Sequence, residues 1–135
     1  GELIPHDPHF MMTKICNCEY DVEHKTPTRW LQFLDEITNG DKALQAYIQR
    51  CIGYSISGSN REQCAYFLYG IGNNGKSTFL DTIADMIGSY ASNTQPDTLM
   101  LQSRLGSSGG GANSDIARLK SARFVTCEEP TEAYG

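Results

Sequence analysis

No stretch of this sequence approaches the ~18 consecutive apolar residues that a membrane-spanning helix needs, and no positively charged leader precedes an apolar run. No membrane association is therefore expected. Basic residues are scarce, 11 Lys and Arg against 16 Asp and Glu, for a formal net charge of −5. That excludes the strongly basic footprint of a self-sufficient nucleic-acid binder. The composition, 39% hydrophobic and 20% charged, excludes disorder as the overall state. Cysteines number five, an odd count, so a disulfide framework is not expected. Cys16 and Cys18 with His24, and His6 or His9 to complete the set, make a poor zinc pattern. Structural zinc favours cysteine pairs two to four residues apart and four ligands in all. Small hydrophobes in a reducing cytoplasm are the plainer reading of these thiols. With 135 residues there is room for one domain or part of one. The chain opens on Gly1 rather than Met, and it is read as a piece of a longer protein.

Three segments are expected: an irregular arm over residues 1–25, a helical hairpin over 26–60, and an α/β segment over 61–135. In the arm, Pro5, Pro8 and the polar run from Cys18 to Thr26 give no period. Thr26-Pro27-Thr28 reads as a helix start, with Thr26 at the cap and Pro27 in the first turn. Trp30, Phe33, Leu34 and Ile37 then fall on one helical face, and Asn39-Gly40 ends it. Asp41 caps a second helix, whose face is Leu44, Tyr47, Ile48, Cys51 and Ile52, up to Gly53. Ser55 to Gln63 reads as a connector.

Ala65 to Tyr69 is a continuous apolar and aromatic run between turn signals, the pattern of a buried parallel strand. Lys76 to Ile87 reads as a helix with Phe79, Leu80, Ile83 and Met86 or Ile87 inward, closed by Gly88. Residues around Leu99–Leu101 are ambiguous between strand and helix. Ser103 to Asn113 is a glycine-rich loop. Ser114 caps a short helix to Leu119, and Arg123 to Cys127 reads as another strand. The element order is α/β.

The chemistry sits between the first strand-like run and its helix. Gly70-Ile-Gly-Asn-Asn-Gly75-Lys76-Ser77 is G-x-x-x-x-G-K-S, the phosphate-binding P-loop. Such a match arises by chance in roughly one chain of this length in two hundred. The glycines let backbone N–H groups converge on phosphate oxygens, and the helix start adds partial positive charge. Lys76 reaches the β- and γ-phosphates as a point charge, and the Ser77 hydroxyl completes a Mg²⁺ shell. Asn73 and Asn74 tolerate the unusual backbone angles of a loop crown. The nucleotide-binding candidates are Gly70, Gly72, Asn73, Asn74, Gly75, Lys76, Ser77 and Thr78, with ATP and Mg²⁺ as the expected ligands. A second constellation is Phe124-Val-Thr-Cys127 followed by Glu128 and Glu129, an apolar strand ending in two acids as in a Walker B motif. One acid can hold Mg²⁺ through water, and the other can orient and deprotonate the attacking water.

Taken together, Thr26-Pro-Thr-Arg-Trp30-Leu-Gln-Phe-Leu-Asp-Glu, Gln49-Arg-Cys-Ile-Gly-Tyr-Ser55, Phe67-Leu-Tyr-Gly70, Asn74-Gly-Lys-Ser-Thr-Phe-Leu80 and Asn113-Ser-Asp-Ile-Ala-Arg-Leu-Lys resemble the phage and plasmid primase-helicases. The resemblance is to their superfamily 3 helicase domain and its preceding helical segment, shared with poxvirus primase-helicases. It spans about residues 10–132. It implies a P-loop NTPase with an AAA+-like parallel sheet core, truncated here after the Walker B acids and preceded by a small helical segment. It also implies a homo-hexameric ring that uses ATP to move along single-stranded DNA, alongside replication proteins, in the cytoplasm of a bacterial host cell. By the same resemblance Glu129, just before Pro130, is the catalytic acid. Glu128 stands where the family often has a small residue, and is a candidate for the metal. The later polar sensor, arginine finger and pore hairpin of the family lie beyond residue 135, so this piece is not expected to unwind DNA alone.

Two other readings are open. A P-loop small-molecule kinase usually opens with its P-loop strand near the N-terminus, whereas about 65 residues precede it here. A non-catalytic nucleotide-binding or interaction fragment is disfavoured by the intact Lys76, Ser77 and Glu129. A transporter-type ATPase is disfavoured by the lack of a Leu-Ser-Gly-Gly-Gln signature. Arg104, Arg118, Lys120 and Arg123 form a loose basic group, read as solvated charge or as a surface toward DNA or a neighbouring subunit.

Overall fold

The computed structural model of the chain describes residues 3–23, 25–96 and 114–128. His24, Leu99–Leu101, the glycine-rich stretch 103–113 with Arg104, and Glu129 lie outside the described residues.

Helix α1 spans Thr28–Thr38. Pro27 stands at its cap and no side chain caps it. The Thr26 carbonyl instead accepts the Thr28 N–H at 2.9 Å, so the expected Thr26 side-chain cap is not made. Asn39 and Gly40 both take left-handed angles and reverse the chain within two residues. Asp41 then caps α2 (Lys42–Ser57), its carboxylate accepting from the Ala43 and Leu44 N–H groups. That is the ordinary satisfaction of orphan donors at a helix start.

Helix α2 runs through Gly53 and stops at Gly58, at φ +70°. The expected stop at Gly53 is thus corrected. An interior glycine costs only about 1 kcal/mol against alanine, and the extra turn brings Ile56 onto the core. The inner face is Ile48, Ile52 and Ile56, whereas Leu44 and Tyr47, expected inward, are exposed.

Helix α3 occupies Lys76–Ile87, as its apolar spacing predicts. Phe79, Ile83 and Ile87 are buried along one face, while Met86 is exposed. A 3₁₀ turn (Gly88–Tyr90) leads into strand β1, Ala91–Thr94, which the sequence reading does not anticipate. After a short helix α4 (Ser114–Arg118), strand β2 (Phe124–Cys127) pairs parallel to β1. The register sets Ala91 opposite Phe124 and Thr94 opposite Cys127. The Asn93 amide donates to the Thr126 hydroxyl across the pair at 3.1 Å.

The core is Phe79, Ile83 and Ile87 of α3 with Phe124 of β2. Trp30 of α1 stacks on Phe79 with ring centroids 5.8 Å apart, so the helical hairpin packs directly on α3. The N-terminal arm is irregular, as expected, apart from a 3₁₀ turn at Pro8–Phe10. It is tied to the far end of α3. The Asn17 N–H donates to the Met86 carbonyl at 3.1 Å and the Ser89 N–H to the Ile15 carbonyl at 3.1 Å. Gly88 lies between, where a Cβ would meet the Ile15 carbonyl at 2.7 Å. No helix among the described residues is long and apolar enough to cross a membrane.

The run Ala65–Tyr69 has no regular secondary structure and is exposed. The expected buried parallel strand is thus corrected. Phe67, Tyr69 and Ile71 are 88%, 93% and 91% exposed, whereas Tyr66 and Leu68 are about half as exposed. A strand needs ladder partners for its N–H and C=O groups. Among the described residues the only sheet is β1 with β2.

Candidate nucleotide-binding site

The loop from Gly70 to Gly75 joins the exposed segment to α3. Its crown bends through left-handed angles at Asn73 (φ 61°) and Gly75 (φ 86°). Gly75 is also crowded: a Cβ there would stand 2.8 Å from Ile37 Cγ2 and 3.2 Å from Phe33 Cε2. Helix α1 therefore backs the loop where it enters α3. The first intrahelical bond runs from the Phe79 N–H to the Gly75 carbonyl at 2.9 Å. The N–H groups of Lys76, Ser77 and Thr78 precede it and have no carbonyl within the helix to meet. With the exposed Ser77 and Thr78 hydroxyls, they form a donor set suited to an anion.

Lys76 folds back over this loop. Its ammonium donates to the Gly70 carbonyl at 3.0 Å, the Ile71 carbonyl at 3.4 Å and the Asn74 Oδ1 at 2.9 Å. The other end of the Asn74 amide lies against Gly70, where a Cβ would overlap Nδ2. The structure thus brings together Gly70, Asn74, Gly75 and Lys76. The Lys76–Asn74 bond and the Phe33–Ile37 backing are absent from the sequence reading. The apolar face of α1 was legible, but nothing in its spacing says which loop it supports.

The segment feeding the loop meets α2 where the Glu62 N–H donates to the Tyr54 hydroxyl at 2.8 Å. Tyr66 is hydrogen-bonded to Cys64, Sγ to Oη 3.5 Å, and this bond, then burial and the Cys51 thiol, push the phenol well above its usual range. Of the two acids after β2, Glu128 is exposed at the strand's carboxyl end. No ion pair among the described residues includes it. Arg123 is exposed, and its guanidinium lies 4.9 Å above the Tyr90 ring centre and donates to the Ile56 carbonyl at 3.0 Å, tying the start of β2 to the end of α2. Cys16 and Cys18 are exposed free thiols, and His9 pairs with Asp7 at 2.7 Å. No group of three or more His, Cys, Asp or Glu able to hold a metal occurs among the described residues.

Residues 1–39 match the family described as "D5 N terminal like". The chain is 29% identical over 126 residues to a protein of Acanthamoeba polyphaga mimivirus named "Putative helicase L207/L206". That similarity covers 93% of this chain and 13% of the mimivirus protein, so the chain corresponds to a small part of its relative. Among solved structures none matches the chain. The two similarities support a relation between this chain and the primase-helicases.

Proposed function

We propose that this chain is the ATP-binding and hydrolysing portion of a DNA replication helicase of the primase-helicase type. The observation that carries the reading is the Gly70–Ser77 loop at the start of α3, with the Lys76 ammonium held over its crown. The donor set fits a polyphosphate: the first N–H groups of α3, two hydroxyls and one ammonium converge on one loop. For Mg²⁺ the loop offers the Ser77 hydroxyl, and Glu128 offers a carboxylate after β2. Those are hard oxygen donors, and Mg²⁺ typically takes only one or two from the protein. When bound, the ion neutralises charge on the phosphates.

In this reading the Lys76 ammonium keeps its loop carbonyls and also reaches the β- and γ-phosphate oxygens, and the α3 N–H groups fix the phosphate chain for in-line attack. Glu129 orients and deprotonates the attacking water. In the whole protein we place this unit in an AAA+-like superfamily 3 ring, a homo-hexamer that moves on single-stranded DNA with other replication proteins. The similarity to a protein named as a helicase supports this assignment. The low count of basic residues supports a DNA grip lying mainly outside these residues.

Calorimetric titration of Mg·ATP into the chain, beside Lys76→Ala, tests the proposal. Binding that the substitution removes, by a factor of about 100 or more, is the expected result. In the longer protein, Glu129→Gln should retain binding and lose turnover. A folded Lys76→Ala chain that binds like the parent would overturn the site assignment, and normal hydrolysis by Glu129→Gln would move the base to Glu128.

A further inference from the structure

The three hydrogens of the Lys76 ammonium are all engaged before any ligand arrives. Two acceptors are the backbone carbonyls of Gly70 and Ile71, and the third is the Asn74 carboxamide. The carbonyls belong to the loop itself and leave only if its backbone changes. The carboxamide is carried on rotatable bonds, so it is the exchangeable member of the three. We propose that Asn74 is a positioning residue that stands in for a phosphate oxygen on Lys76, and that polyphosphate binds by exchanging with its carboxamide. The inference rests on the loop being a polyphosphate site, and it deepens that reading.

Two features of the geometry fit this role. The Asn74 Nδ2 lies where a side chain at position 70 would begin. Gly70 thus opens the space from which the amide reaches Lys76. The carboxamide is also neutral. It aims the ammonium into the loop without cancelling its charge, and leaves the full attraction for a phosphate. A carboxylate in the same place would hold the ammonium as an ion pair and repel the ligand. An amide acceptor exchanged for water is close to neutral in free energy, because each partner regains a comparable bond, whereas a phosphate oxygen in its place makes the stronger charge-assisted bond.

The test uses the full 135-residue chain and inorganic tripolyphosphate with Mg²⁺ as the probe, with affinity read by calorimetry and folding by thermal unfolding. Asn74→Asp should weaken binding by about tenfold or more. Asn74→Ala removes the competitor and should bind at least as tightly as the parent. Asn60→Asp carries the same added charge at an exposed position outside the loop. It should stay within about threefold of the parent, since a distant exposed charge is screened by salt. The opposite sign for Ala and Asp is what a loop-building role does not produce.

Equal losses for Asn74→Ala and Asn74→Asp would make Asn74 a loop builder and overturn the proposal. Equal losses for Asn60→Asp and Asn74→Asp would reduce the effect to general charge and overturn it too. Lys76→Ala in the same series separates the two levels. If the parent chain does not bind tripolyphosphate, or Lys76→Ala binds equally, the polyphosphate site itself fails and this inference falls with it. If Lys76→Ala alone loses binding, the site stands and only the role of Asn74 is refuted.

Discussion

At the scale of single residues, the loop depends on Gly75 for two separable reasons. Its φ of +86° lies where a Cβ is strained, and that Cβ would overlap Ile37 and Phe33. Gly75→Ala should therefore destabilise the fold by about 1–3 kcal/mol, read as a lowered urea midpoint, and should weaken nucleotide binding as well. Lys76→Ala should leave the midpoint nearly unchanged, because the Lys76 bonds are confined to the exposed loop. If Gly75→Ala keeps its midpoint, the packing of α1 behind the loop is wrong. The helix start at Lys76 and the left-handed turn at Gly75 before it were legible from spacing alone, because a sharp bend into a helix favours glycine. The contact of Asn74 with Lys76 was not legible. Tolerance of unusual angles explains an asparagine there equally well, and only the fold shows which way its amide turns.

At the scale of elements, the α1–α2 hairpin is held by a polar clamp across its turn. Asp35 accepts from the Lys42 ammonium and from the Gln45 amide, the latter at 2.7 Å, and the same amide donates to the Thr38 hydroxyl at 2.9 Å. The bond from Lys42, then that from Gln45, holds the Asp35 carboxyl below its usual value. A carboxyl with a lowered folded pKa contributes stability that is complete above its unfolded value, about 3.9, and is lost as pH falls through the folded value. Asp35→Asn should thus be less stable than the parent at pH 7 and should lose less stability on acidification. Urea midpoints between pH 7 and pH 3 check this, and parallel curves would refute it. Helix α3 was readable because Phe79, Ile83 and Ile87 keep helical spacing and Gly88 ends it. Strand β1 was not readable, because Ala91-Ser-Asn-Thr94 has no apolar run and is a strand only through its pairing with β2. The run 65–69 is the reverse case: a strong local strand pattern with no ladder partner among the described residues.

At the scale of the whole molecule, a two-stranded sheet is marginal by itself, and α3 supplies most of what β1 and β2 bury against. Phe67 and Tyr69 stand almost wholly in solvent beside the loop and so contribute little to folding. Replacing both with serine should change unfolding free energy by less than about 0.5 kcal/mol per site. It should also reduce the binding of an apolar fluorescent dye, as removal of an exposed apolar patch does. A loss of about 2 kcal/mol or more would mean that the two rings are packed. The helix behind them has a mechanical consequence. With 12 residues, α3 is a rod about 18 Å long. The segment 1–39 grips that rod at both ends: Phe33 and Ile37 sit behind Gly75, and Ile15 and Asn17 are bonded at Met86 and Ser89. Any axial shift of α3 must carry residues 15–17 along or break their bonds, so this segment acts as a yoke on α3.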